Sequence, residues 1–226
     1  MKVQIWSDIA CPWCYIGKRR FEAALREFPH PVEVEWKSFE LDPHAVGGKD
    51  GDHATRLAAK YGRSVPEAQQ MLDDMTAAAA QEGLSFHFEK AQAGSTFDAH
   101  RVLHEAAVHG LQDAMKERLL KAYFEQGEAV HDHAVLTRLA AEVGFDASAV
   151  LRDGTHADDV RRDEARAAEL GISGVPFFVL DGRYGVNGAQ SAEVLLEALR
   201  QAWESRAPLA VVGAGGQGCE GDACAI

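Results

Sequence analysis

The chain has 226 residues, 46% hydrophobic and 26% charged, with a formal net charge of −12. That balance fits a globular protein with one large domain, or a domain carrying an insertion. The acidic excess argues against nucleic acid as the main partner, since phosphates call for basic surface. No run approaches the roughly 18 apolar residues that a membrane span needs, so no membrane partner is expected.

In chain order, Val3 and Ile5 alternate with Lys2 and Gln4, which predicts a strand over 2–7. A helix is expected from Pro12, because proline suits the first helical position. Phe21, Ala24, Leu25 and Phe28 give it a core-facing stripe, and Pro29 and Pro31 stop it. The alternation from Val32 to Lys37 predicts a second strand, so the first forty residues form a βαβ unit, parallel and right-handed. Gly47 to Asp52 reads as a loop. From about 52 to 155 the windows are helical: one helix around Met71 to Ala80, one ending near Gly110, one ending near Gly127, one ending at Gly144, and a short one over 146–152. This stretch is expected to be an all-α insertion with its own small core. A polar helix over 156–170 follows, with Asp158 to Glu169 read as a solvated face carrying i, i+4 charge pairs. The apolar run Phe177 to Leu180, the turn Asp181-Gly182 and a return strand to Val186 predict a hairpin. A last helix over 191–205 and a Gly/Ala-rich flexible tail complete the chain. The expected organisation is an α/β domain from 1–45 and 156–206, a helical insertion over 46–155, and a tail over 207–226.

Chemistry concentrates in Cys11-Pro12-Trp13-Cys14, placed between the first strand and the first helix. A thiol at the start of a helix lies in the positive end of its dipole, so Cys11 is expected to be acidified and nucleophilic. Cys14, one turn further in, can close a ring with it and resolve a mixed disulfide. Four cysteines in all are too few for a structural framework, and a cysteine pair in a reducing compartment more often does chemistry. Four sulfurs could also hold zinc, but zinc pairs usually sit in knuckle turns and not on the first turn of an amphipathic helix; no metal is expected. The first eight residues lack a long apolar core and a small-residue cleavage site, so no signal peptide and a cytoplasmic location are expected. Gly174-Val175-Pro176 precedes an apolar strand. A trans bond there would simply end a loop, whereas a cis Val175–Pro176 bond would present the Val175 backbone to an incoming chain; the cysteine motif favours cis. Asp8 is either a buried acid that accepts a thiol proton or a turn residue. His100 and His104 share a helix face and could approach a metal, but His100 is expected to line a substrate groove. The second pair, Cys219 and Cys224, is either an auxiliary redox pair serving Cys11–Cys14 or a free pair.

These motifs carry a resemblance. With Asp8, Cys11-Pro12-Trp13-Cys14-Tyr15-Ile16-Gly17-Lys18, Phe97-Asp98-Ala99-His100-Arg101, Gly171 to Phe178 and Asn187-Gly188-Ala189-Gln190, the chain resembles the DsbA-like thioredoxin-fold oxidoreductases, and among them the FrnE branch. The resemblance implies a thioredoxin-like fold with a helical insertion that covers the active face. It implies Cys11 as nucleophile, Cys14 as resolving thiol and Pro176 as a cis-proline facing them, supported by Pro12, Trp13, Val175 and Asp8. It also implies a protein or small-molecule thiol or disulfide as substrate, a recycling reductase or oxidant, and no cofactor beyond the redox-active disulfide, with glutathione as a further candidate substrate. Trp13 stands where secreted members commonly have a histidine that stabilises the thiolate, which argues against strong oxidising character. The same fold hosts 2-hydroxychromene-2-carboxylate isomerases and kappa-class glutathione transferases, whose chemistry does not need two cysteines. A binding module with a vestigial site is the non-enzyme alternative.

Overall fold

The described residues of the computed structural model are 1–47 and 52–206. Most of the expected loop over 47–52 and the whole tail with Cys219 and Cys224 lie outside them. Strand β1 (Lys2–Ser7) is central. It pairs in parallel with β2 (Glu33–Ser38), from Lys2 opposite Glu33 to Ser7 opposite Ser38, and antiparallel with β3 (Phe177–Leu180). β3 pairs antiparallel with β4 (Tyr184–Asn187), giving the order β2-β1-β3-β4. At the β3–β4 turn, Asp181 and Gly182 have φ of 49° and 67°. Both central residues of this tight hairpin turn therefore use the left-handed region, which an Asp-Gly pair tolerates.

Helix α1 (Pro12–Glu27) connects β1 and β2. The helical stretch that follows contains α2 (His53–Tyr61), α3 (Val65–Gln81), α4 (Phe97–Val108), α5 (Gln112–Lys121), a π-helical turn over Ala122–Gln126, α6 (His133–Val143) and α7 (Ser148–Arg152). Then come α8 (Ala157–Glu169), the hairpin and α9 (Ala192–Glu204). Ser64 and Glu67 form a reciprocal capping box at the start of α3, and Asp132 caps α6 through the amides of Ala134 and Val135. No helix among the described residues is long and apolar enough to cross a membrane.

The helical stretch has a core of its own, as its sequence suggests, with Met115, Leu119, Phe124 and Leu136 fully buried in it. That core also takes in Ile9, just before α1, and Tyr15 and Ile16 from the start of α1. Tyr15 stacks on Phe86 at 6.0 Å between ring centroids. The opposite face of α1, Phe21, Ala24 and Phe28, packs with Val3 and Ile5 of β1 and with Leu195 and Leu199 of α9 in a second core. α1 is thus the shared wall of both.

Helix α5 fixes the insertion to the sheet. The Gln112 amide accepts from Trp36 N at 2.9 Å and donates to Trp36 O at 3.0 Å, so it continues the hydrogen bonding of the β2 edge. Trp36 Nε1 donates to Asp113 at 2.9 Å. One turn on, Glu117 receives Arg19 and the Tyr15 hydroxyl, and Lys18 pairs with Glu117 at 3.1 Å and Asp113 at 3.3 Å.

Helix α8 differs from its reading as a solvated face. Asp163 is 5% exposed. It accepts from Ser38 N at 3.0 Å, pairs with Lys37 at 2.9 Å and lies 3.2 Å from His104 Nε2. The exposed pairs Arg161–Glu164, Arg162–Asp159 and Arg166–Glu169 are spaced i, i+3 and not i, i+4.

Candidate functional site

β1 ends at Ser7, and the turn Asp8-Ile9-Ala10 delivers Cys11 to the N-cap of α1, with Pro12 in the first turn. Cys11 and Cys14 are free thiols, 3% and 0% exposed. Between them Trp13 stands 41% exposed. The Val175–Pro176 bond is cis, and Cys11 Sγ donates to Val175 O at 3.4 Å. Pro176 also meets α1 directly: a Cβ built on Gly17 would lie 2.9 Å from Pro176 Cγ. The residues expected to act together, Cys11, Cys14, Val175 and Pro176, are brought to one place.

The electrostatics tie the two sulfurs together. Cys11 makes no regular capping bond with its side chain, but the backbone N–H of Cys14 in the first turn of α1 still favours its thiolate. Its single S–H has two acceptors, Val175 O and the sulfur of Cys14. The bond to Cys14, then burial, pushes the Cys11 pKa well above the usual thiol value. Burial also works against a Cys14 thiolate, but the Cys11 S–H, the Lys116 charge and the Ser7 hydroxyl more than offset it, and the Cys14 pKa falls below the usual value. The two sulfurs titrate as a pair. The first proton to leave puts one negative charge on the pair, and the Lys116 ammonium favours it.

Asp8 is buried and anchors the turn. Its carboxylate is 1% exposed, accepts from Leu41 N at 2.8 Å and Ala10 N at 3.4 Å, and has His100 Nε2 at 3.4 Å. Burial raises its pKa, but the contacts with His100, Leu41 and Thr96 prevail and hold it below the usual carboxylate value. His100 is 1% exposed, so it does not line a groove. Burial lowers its pKa, Asp8 only partly opposing this, which keeps the imidazole neutral. His104 is likewise engaged by protein, with Ser38 Oγ at 3.1 Å and Asp163. Among the described residues no group of three or more His, Cys, Asp or Glu side chains is arranged to hold a metal.

Sequence reading missed Lys116 and Ser7. Both are fully buried, and Lys116 Nζ donates to Ser7 O at 3.4 Å. Burial lowers the Lys116 pKa to about 8, while Cys14, Asp8 and Cys11 pull it upward. A signal was present: Lys116 lies three residues before Leu119 and four before Leu120, inside the apolar stripe of its helix.

The DSBA-like thioredoxin domain model matches residues 2–200. The chain belongs to this family. The crystal structure of a probable DsbA oxidoreductase, SCO1869 from Streptomyces coelicolor, is 48% identical, covers 100% of this chain and 99% of that one, and superposes with a TM-score of 0.89. The uncharacterized protein YwbO of Bacillus subtilis is 28% identical over 203 residues, 87% of this chain and 94% of its own length. The cytosolic disulfide reductase DsbM of Pseudomonas aeruginosa, at 20% identity and a TM-score of 0.60 over 90% of this chain and 99% of that one, shares the fold. The α/β thioredoxin-like fold with a helical insertion is therefore the architecture of this DsbA-like oxidoreductase family member.

Proposed function

We propose that the protein exchanges thiols and disulfides at Cys11 and Cys14, with Cys11 as the nucleophile. The observation that carries this reading is the placement of two free sulfurs on the first turn of α1, one of them bonded to the backbone carbonyl of Val175. Loss of one proton leaves a single charge shared across the S–H···S contact. When a substrate disulfide approaches the outer sulfur, the proton shifts to Cys14 and Cys11 attacks. A Cys11–substrate bond forms, the substrate S–S bond breaks, and one substrate thiolate departs. The departing thiolate takes the Cys14 proton, and Cys14 then attacks Cys11 Sγ, closing the internal disulfide and releasing the second thiolate. The substrate gains two electrons and the protein dithiol loses them; with the internal disulfide as starting point the same steps run backwards.

This chemistry uses the cysteine pair as its only redox group, with no bound cofactor. The substrate class is a protein or small-molecule thiol or disulfide, glutathione among them, and a separate reductase or oxidant resets the pair. Exposed Trp13 offers an apolar surface beside the sulfurs for such a substrate. Asp8 holds the turn that presents Cys11. Placement in the FrnE branch, action in the cytoplasm and a shuttle role for Cys219 and Cys224 belong to this reading. The glutathione-dependent isomerase and transferase alternative shares the fold, but two thiols in mutual contact favour exchange. The test is equilibration of the protein in glutathione redox buffers. A reversible internal disulfide mapped to Cys11–Cys14, with turnover of an insulin disulfide lost in Cys11→Ser, is expected; a pair that stays reduced throughout refutes the reading.

A further inference from the structure

Lys116 is a charge with no ordinary partner. It is fully buried, its hydrogen bond is the 3.4 Å contact to Ser7 O, and its Nζ lies 5.5 Å from the centroid of the Trp36 ring. Among the described residues it makes no ion pair with a carboxylate. The acids on its own helix are directed elsewhere, Asp113 to Trp36 and Lys18, Glu117 to Arg19, Tyr15 and Lys18. Asp8, the nearby buried acid, is supplied by Leu41 N, Ala10 N, His100 and Thr96. A buried ammonium is costly to the fold unless an anion meets it. The groups left to do so are the sulfurs of Cys11 and Cys14. A second donor is held in reserve beside it: the Ser7 hydroxyl is buried without an aligned partner in the dithiol protein. The groups facing Lys116 are Cys11, Cys14 and Lys18 of α1, Asp8 and Ser7 before it, His100 of α4 and the Trp36 ring of β2.

We infer that Lys116 is a positioning residue for the exchange reaction: carried in by the helical insertion, its ammonium, with the Ser7 hydroxyl, holds the negative charge of the reduced Cys11–Cys14 pair and raises its reduction potential. The inference rests on the exchange reading above. In the direction that oxidises a substrate dithiol, one substrate thiolate attacks Cys11 Sγ, the Cys11–Cys14 bond breaks, and its electron pair leaves on Cys14, where Lys116 and Ser7 receive the charge. The second substrate thiolate then attacks its partner sulfur in the mixed disulfide, and Cys11 departs and takes a proton from solvent. The substrate loses two electrons to the protein pair and its two thiol protons to solvent; the pair ends with Cys14 as thiolate and Cys11 as thiol. Lys116 neither donates nor accepts a proton; it lowers the energy of the leaving thiolate.

The experiment uses the full chain with Cys219→Ser and Cys224→Ser, so that one pair titrates, and compares Lys116→Met, Lys116→Gln and Lys116→Arg. Equilibrium with reduced and oxidised glutathione gives the potential, and ultraviolet thiolate absorbance against pH gives the titration. Lys116→Met is expected to shift the equilibrium about tenfold toward the disulfide, about 30 mV more negative for a two-electron couple, and to move thiolate formation to higher pH. Lys116→Arg keeps the charge and stays near the parent. A folded Lys116→Met or Lys116→Gln protein with parental potential and titration overturns the inference, as does failure of both to fold, which would make Lys116 a packing residue. A parent that forms no internal disulfide sinks the exchange reading instead, so the two failures are distinct.

Discussion

Gly17→Ala tests how tightly the active-site helix and the proline loop are fitted together. The methyl group would sit 2.9 Å from Pro176 Cγ and 3.5 Å from Ala189 Cβ. The first distance is about 0.5 Å inside ordinary carbon–carbon contact, and the proline ring can move its Cγ only by changing its pucker. Two effects compete. Alanine in mid-helix regains about 1 kcal/mol over glycine. Overpacking a filled site costs about 1–3 kcal/mol. Overpacking wins, and the net loss is about 1 kcal/mol, a fall of about 2–4 °C in Tm for a chain of this size. Activity should suffer more than stability. Relief of the clash pushes Pro176 away from α1, and with it the Val175 carbonyl, whose 3.4 Å contact with Cys11 Sγ is already long. Misplacement of this kind can cost up to about a hundredfold in rate; a shift of a few tenths of an ångström should cost about tenfold. Thermal melting and turnover of a small disulfide with glutathione, measured on the same preparation, separate the two. A Gly17→Ala protein that melts and turns over like its parent would show that the ring has room, and would refute the close-fit argument.

Two further outcomes follow from the buried and half-buried charges. Asp163→Ala leaves Lys37, His104 and the Ser38 amide without their shared acceptor and should cost about 3–5 kcal/mol in urea unfolding; a loss under about 1 kcal/mol would mean that water replaces the carboxylate. Glu35 is held by Lys37, Gln4 and Lys2, which outweigh the opposing effect of burial and bring its pKa to about 2, against an ordinary 4.5. Its contribution is therefore complete above pH 4.5 and disappears as pH falls toward 2. After allowance for the 29% exposure of its side chain, Glu35→Gln should destabilise by about 1 kcal/mol at neutral pH and by nothing near pH 2. An equal loss at both pH values would contradict the charge argument.

The order of elements was legible because each carries a local signature. Pro12 opens α1 and Pro29 follows its end; Gly127 and Gly144 close helices with φ of 68° and 113°; Asp181-Gly182 turns the hairpin. The cysteine pair and Pro176 were legible for the same reason, since motif and neighbouring elements agree. What sequence did not yield is long-range and polar. Nothing local distinguishes Asp163 from the exposed acids of the same helix; its burial comes from β2 and α4 packing on that one face. His100 sits at a helix position open to either groove or core, and Asp8, far away in sequence, draws it inward. Lys116 lies in the apolar stripe of α5, which hints at burial, but what that stripe faces is set only when Gln112, one turn earlier, locks α5 onto the β2 edge and turns that face to the active-site turn. The same holds for the charge on the cysteine pair: the dipole of α1 is local and legible, whereas the Lys116 cation that also favours a thiolate arrives from more than a hundred residues away in the chain.

The central claim is that Cys11 attacks and Cys14 resolves. Incubating Cys14→Ser with insulin or oxidised glutathione, again with Cys219 and Cys224 replaced by serine, and mapping the adduct by peptide mass spectrometry tests it directly. A stable mixed disulfide on Cys11, with none formed by Cys11→Ser, is the predicted result; an adduct on Cys14 in the Cys11→Ser protein, or on neither sulfur, would contradict it.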